Sequence, residues 1–248
     1  MARSYRKSPI AEAICEFQFV PTEQWDLTIP GLMYEKISSN FPQKKRRVGI
    51  GIQFKQTEAG VEQRVEAKAD RMQFLNADGT VLVQVGPDLL AVNKLKPYEK
   101  WPTFRSTILE HLGIYRGIAR PKGFKRIGLR YINRIEFQAA PVTLEEFFNF
   151  YPHVPERIPQ VHADFLSRIE IPFGEGRDLL LLTMGAAPPD EHVAVSIILD
   201  LDYILARPEV VSLDDAEEWL EQAHTRVENV FEASITDKSR VLFEEVIE

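Results

Sequence analysis

The stretch Arg126–Phe137, RIGLRYINRIEF, decides how the whole chain is read. Side chains alternate across a β-strand with a period of two. Arg126, Arg130 and Arg134 therefore share one face, and Ile127, Leu129, Tyr131 and Ile135 share the other. Three guanidinium groups in a row repel one another unless something answers them. The partner could be acids on a neighbouring strand, a ligand, nucleic acid, or water alone.

Ile10–Val20 has the same character. Ala11, Ala13, Cys15, Phe17 and Phe19 lie on one parity, and Glu12 and Glu16 on the other. Each of these two strands opens a comparable series. After the first come apolar residues at helical spacing within Trp25–Phe41, with Pro30 as a first-turn residue or interruption. Strands follow at Val48–Phe54, Glu62–Leu75, Val81–Val85 and Leu89–Leu95, with Asn76-Ala77-Asp78-Gly79 as a turn, and then a helix at Trp101–Ile114. After Phe124–Gln138 come a short helix at Leu144–Tyr151 with Thr143 as its N-cap, and strands at Phe165–Phe173, Asp178–Ala186 and His192–Tyr203. A helix from Asp215 to about Ser234 and a final turn or two within Asp237–Ile247 close the chain.

The expected fold is α+β: two β-α-β-β-β(-β)-α repeats, joined edge to edge into a broad, curved, mainly antiparallel sheet with helices on one face. Residues 1–118 form the first, basic repeat and residues 119–248 the second, acidic one, packed as one continuous unit. Joining the repeats hides two strand edges that would otherwise invite aggregation. The TATA-binding-protein and helix-grip folds are built similarly, a likeness of architecture that implies no activity.

If the two opening strands lie side by side at the centre, antiparallel with Ile14 opposite Ile132, then Glu12 meets Arg134 and Glu16 meets Arg130. Opposite charges directly across a ladder contribute roughly 0.2–1 kcal/mol each. This structural pairing is preferred here to a ligand-facing or unpaired row of arginines.

The net charge of −7 conceals a partition. Residues 1–135 hold 23 Lys/Arg against 13 Asp/Glu, and residues 136–248 hold 7 against 24, net charges of +10 and −17. Such segregation suits mutual attraction of the halves, head-to-tail packing of two chains, or a nucleic-acid face on the basic half. No apolar run approaches the length of a membrane helix, and the N-terminus has no apolar signal-peptide core. A single cysteine, Cys15, excludes an internal disulfide. These features fit a cytoplasmic protein that does not engage a membrane.

Chemistry is sparsely marked. There is no G-x-S-x-G, no H-E-x-x-H and no phosphate-binding glycine loop, and the bare G-x-G of Gly49 and Gly51 fits close strand packing better. The five histidines, among them His153 and His162 beside a proline-rich loop, lack metal-ligand spacing. Cys15 falls on an apolar parity, where an inert buried thiol is expected. Asp200 and Asp202 share a strand face and could hold a divalent ion with a third carboxylate, although an arginine-paired or solvated face is the plainer reading. No cofactor and no catalytic residue are expected.

The candidate binding residues are basic. Lys44, Lys45, Arg46 and Arg47 form a cationic run read as a loop after a helix. Arg120, Lys122, Lys125 and Arg126 belong to a longer stretch, Arg116 to Arg134, that contains no acid. Phosphate contacts by such groups would weaken steeply with salt.

Three segments carry a resemblance: Ser8–Phe17 (SPIAEAICEF), Gly128–Ile135 (GLRYINRI) and Phe231–Thr236 (FEASIT). With them the chain resembles a sporadically distributed bacterial family of about this length that has no established activity to carry over. The patchy distribution implies an accessory role of the toxin–antitoxin, immunity or phage-defence type. The leading expectation is a non-enzymatic protein-binding module, with self-association as a further possibility. Nucleic-acid binding through the basic half comes second. An enzyme comes third, and its mark would be a deep pocket where Arg130 or Arg134, Asn133 and a carboxylate converge.

Overall fold

The computed structural model describes residues 3–21, 25–57, 60–159 and 164–246, with backbone alone for 47–57 and 60–70. In chain order its elements are β1 (Ser4–Tyr5), β2 (Ile10–Phe19), α1 (Ile29–Ile37), β3 (Gln43–Thr57), β4 (Gly60–Leu75), β5 (Val81–Gly86), β6 (Leu89–Leu95) and α2 (Trp101–Ala119). There follow β7 (Phe124–Phe137), α3 (Leu144–Phe147), β8 (Leu166–Phe173), β9 (Asp178–Ala187), β10 (Val195–Leu205), α4 (Ala216–Ser234), α5 (Asp237–Leu242) and β11 (Glu245–Val246). Strands β2 to β10 form one nine-stranded sheet in the order β3-β4-β5-β6-β2-β7-β10-β9-β8, antiparallel throughout. Outward from the central β2–β7 pair the order is symmetric: β6, β5, β4 on one side and β10, β9, β8 on the other, with β3 added to the first repeat. The fold is the expected α+β duplication.

The alternation that suggested strands also places the core. Ala13, Cys15, Phe17 and Phe19 of β2 and Ile127, Leu129, Tyr131 and Ile135 of β7 are buried on one face. Phe104, Ile108, Leu112 and Tyr115 of α2 and Trp219, Leu220, Ala223 and Val227 of α4 belong to the same core. Burial of each such side chain contributes about 1.5–3 kcal/mol. Among the described residues, no helix packs on the opposite face.

Several elements depart from the sequence reading. The helix expected over Trp25–Phe41 occupies only Ile29–Ile37, with Pro30 in its first turn. That expected over Leu144–Tyr151 stops at Phe147, because Phe148 is fully buried and bridges Ile235, and Asn149 donates to the carbonyls of Ala233 and Ile235. The Lys44–Arg47 run is not a loop. It lies in β3, the edge strand, which begins at Gln43 and extends well beyond the expected Val48–Phe54.

The two opening strands are neighbours, but Ile14 faces Arg130 rather than Ile132, a slip of two residues. A two-residue slip keeps every side chain on its own face, so alternation cannot choose between the two registers. Aromatic packing at one end of the pair accompanies the observed one. Phe124 stacks on Phe17 at 5.5 Å and lies 5.6 Å from Phe19, and Phe19 stacks on Tyr115 at 4.8 Å. As a result neither Glu12–Arg134 nor Glu16–Arg130 pairs.

One buried carboxylate ties α4 to the sheet. Asp178, fully buried at the start of β9, accepts hydrogen bonds from Trp219 Nε1 at 2.9 Å, Tyr203 OH at 2.9 Å, Arg177 at 2.7 and 2.9 Å and Arg226 at 3.1 Å. Removing it strands those donors in the interior. We predict that Asp178→Ala costs about 3 kcal/mol in denaturant unfolding. A loss below about 1 kcal/mol would contradict this role.

Candidate functional site

The arginine row of β7 is answered from its other neighbour. β10 carries Ile198-Leu199-Asp200-Leu201-Asp202 alongside β7, with Asp202 opposite Arg130 and Asp200 opposite Ile132. Arg126 and Arg130 reach carboxylates on β10 and β2. Arg130 grips Asp200 through Nε at 2.8 Å and Nη2 at 2.5 Å, a bidentate fork. Arg126 bridges Asp202 at 3.2 Å and Glu16 at 3.5 Å. Arg134 turns to Glu136 at 2.8 Å and Asp190 at 3.1 Å. Asp200 and Asp202 are thus arginine-paired, and among the described residues no acid or histidine cluster could hold a metal.

Gly128 makes the Arg126 bridge possible. It sits opposite Glu16 on β2 and Ile204 on β10, and a Cβ there would meet the Arg126 guanidinium at 3.2 Å. The missing side chain lets Arg126 fold back over its own strand to reach both acids. Glu16 receives a second guanidinium, that of Arg71, at 3.1 Å. Arg71 lies on β4, three strands from β2, about 14 Å along a flat sheet. The contact reaches over β5 and β6 on this face of the curved sheet.

Next to the ion pairs runs a ladder of side-chain amides that ends on a carboxylate. Gln73 donates to Gln84 at 3.0 Å, Gln84 to Asn93 at 2.8 Å, and Asn93 to Glu12 at 2.7 Å, crossing β4, β5, β6 and β2. Between these polar rows lie the half-buried apolar side chains of Ile14, Leu82, Ile132, Leu181, Ile198 and Ile204. The face is amphipathic, with its charges tied to one another. Burial raises the Asp202 carboxyl above its usual range, an effect that Arg126 and Arg130 oppose and that Asp200 and Glu16 reinforce.

The basic candidates are dispersed. Lys44, Lys45 and Arg46 are exposed on β3, and Lys44 lies 4.7 Å from the ring centroid of Tyr34. The side chain of Arg47 lies outside the described residues. Arg120, the left-handed C-cap of α2, and Lys122 and Lys125 are exposed near the start of β7, whereas Arg126 is taken up by acids. β3 and β7 are five strand spacings apart, about 24 Å, so the two basic groups form no single patch. Asn133 is buried on the helix side and donates to the Leu199 carbonyl at 3.0 Å, on the face opposite Arg130 and Arg134. The convergence that would mark an enzyme is therefore not formed by these residues. Cys15 is fully buried, and burial pushes its thiol up. The His153–His162 pair cannot be placed, since His162 lies outside the described residues.

Two further features lie on the helix side. A half-open cavity of about 400 Å³ beside α1 is lined by Trp25, Pro30, Tyr34, Lys44, Phe74 and Val85, among others. Between α2 and α4, Tyr98 OH lies 3.1 Å from Tyr131 OH, which lies 3.2 Å from His224 Nδ1, and Trp101 stacks on the His224 ring at 4.3 Å. Burial lowers His224 to about 4 and pushes Tyr98 up to about 12. His111, buried with Nδ1 on the Thr107 carbonyl and, among the described residues, no partner at Nε2, is also lowered by burial.

Comparison with protein-family models and with curated protein sequences finds no match to the chain. Among the described residues, no helix is long and apolar enough to cross a membrane.

The histidines set an acid limit. His224 stays neutral in the fold down to about pH 4, whereas the unfolded chain takes up that proton near 6.5. The stability this provides is complete above pH 6.5 and is lost as pH falls toward 4. We predict that His224→Gln flattens this part of the stability–pH curve in denaturant titrations, and an unchanged slope would count against it. We also predict that Gly128→Val changes unfolding stability by less than about 1 kcal/mol, because the Arg126 side chain can move aside. A substantially larger thermal shift would show that Gly128 serves the backbone instead.

Proposed function

We propose that the protein is a non-enzymatic binding module, a protein-interaction component of an accessory bacterial system of the toxin–antitoxin, immunity or phage-defence type. The observation that carries the binding reading is the curved, helix-free sheet face, on which half-buried apolar side chains alternate with ion pairs already formed within the chain. A surface of this kind suits a polypeptide of mixed charge. Apolar contacts supply the affinity, and the fixed charge pattern supplies register and selectivity. The arginine row suits phosphates poorly, since Arg126 and Arg130 are held by carboxylates. The accessory-system part of the reading rests on the resemblance carried by SPIAEAICEF, GLRYINRI and FEASIT.

The partition of charge fits the same reading. Arg105 pairs with Glu217 and Glu221, Arg116 with Asp214, Lys7 with Glu244, and Arg126 and Arg130 with Asp202 and Asp200. These pairs join bases of the first half to acids of the second. The exposed pairs among these contribute at most about 1 kcal/mol each.

The test is affinity capture of the tagged protein from its native host at low and high salt, with mass spectrometry and nucleic-acid staining. Ile132→Lys is the probe, because Ile132 lies on this face between Glu12 and Asp200, which can accommodate a lysine. We predict a stoichiometric protein that survives high salt with the wild type and is lost with Ile132→Lys. Nucleic acid that washes off with salt, and is lost when Lys44 and Lys45 are replaced by alanine, would overturn the reading in favour of the basic residues.

A further inference from the structure

The sheet has two edges, and the chain treats them differently. β3 carries Lys44-Lys45-Arg46-Arg47 just after its first residue, a run of one sign that repels a second copy of itself, a common way to blunt an edge. β8, the opposite edge, carries no run of one sign. Its sequence is LSRIEIPF, and among the described residues only β9 pairs with it. Leu166 is 77% exposed and Ile169 43%. Arg168 and Glu170 are exposed too and pair with each other at 2.9 Å.

The backbone parity of β8 follows from two hydrogen bonds. Ala186 N donates to Phe165 O across the β8–β9 ladder, and Ala206 N donates to Arg177 O on the far side of β9. Both point the N–H and C=O groups of the odd residues of β8 inward to β9. Those of Leu166, Arg168 and Glu170 therefore point outward. Pro172 lies on the same outward parity, where its missing N–H leaves the β9 ladder intact.

We propose that β8 is a self-pairing edge. A second copy of this chain adds to it antiparallel, about a twofold axis through Ile169, and the two sheets run on as one. In this register Arg168 of each copy faces Glu170 of the other. These are outward-pointing residues, so they form hydrogen-bonded pairs as well as ion pairs. Ile169 faces its own counterpart in a non-hydrogen-bonded pair, the position where side chains approach most closely. Leu166 faces Pro172 and still donates to its carbonyl. Hydrogen-bonding parity admits any register centred on a residue, and centring on Arg168 or on Glu170 would oppose like charges, so charge selects the register through Ile169. The contact is one short strand edge, smaller than a standard interface, so the dimer is expected to depend on concentration. The backbone pairing lies at the edge, and although Arg168 and Glu170 project from the same face as Leu181 and Asp202, the binding reading above does not rest on them, so the two stand or fall independently.

The experiment is sedimentation equilibrium of the full chain and its charge variants from low to high concentration, with circular dichroism to confirm folding. The wild type is expected to form a dimer. R168E and E170R each place like charges opposite one another and are expected to weaken self-association on the order of tenfold or more. Mixed together, the two variants are complementary and are expected to associate again as a heterodimer. The doubly swapped chain R168E/E170R is expected to dimerise like the wild type, which separates loss of pairing from loss of folding. A wild type that stays monomeric throughout, a dimer indifferent to both single variants, or folded variants that fail to recover on mixing would each overturn the proposal.

Discussion

The pairing of β2 with β7 is the constraint from which the rest of the structure follows. Each repeat alone would expose the edge of its opening strand, with apolar side chains on the flanking face. Setting the two edges together removes both and puts Phe17, Phe19 and Phe124 into one aromatic cluster with Tyr115. It also places β10 on the far side of β7 and β6 on the far side of β2. Everything the central arginines can reach is decided by that order.

Charge is then distributed by topology. Repulsion along Arg126, Arg130 and Arg134 is relieved by Asp202, Asp200 and Glu136, with Asp190 and Glu16 as second partners. A half-buried guanidinium without a carboxylate would be costly, and so would a half-buried carboxylate without a guanidinium. The ion pairs are therefore a condition for having this much charge on a curved face, more than a source of net stability. Asp178 plays the equivalent part within the core, where one carboxylate satisfies donors from Arg177, Tyr203, Trp219 and Arg226.

Much of the fold was legible because its signals are local. Period-two alternation marked β2 and β7, the Asn76–Gly79 turn is built by Asp78 and Asn76 accepting from Thr80 and Val81, and α4 buries the Trp219, Ala223 and Val227 stripe. The need for a carboxylate opposite each arginine was legible as well. The carboxylates named, Glu12 and Glu16, were largely the wrong ones, since only Glu16 takes part and it does so with Arg126 and Arg71. The alternating acids of Ile198-Leu199-Asp200-Leu201-Asp202 match the arginine row and were a usable signal, but only for a reader who already had β10 beside β7. Gly128 gave no signal at all, because its role depends on where the Arg126 guanidinium lies. The Lys44–Arg47 run was misplaced because a cationic tetrapeptide satisfies a loop and an edge strand equally well.

The amino-acid order by itself determined the α+β class, the duplicated series of elements, the buried parity of β2 and β7 and the requirement that the arginines be paired. These depend on side-chain period, turn chemistry and charge, which act over a few residues. Only the tertiary structure decided the β2–β7 register, the partners of each arginine, the separation of the two basic groups and the contact of Arg71 with Glu16. Those depend on which strands become neighbours and on a two-residue choice that leaves every face unchanged, so no pattern along a single strand can express them.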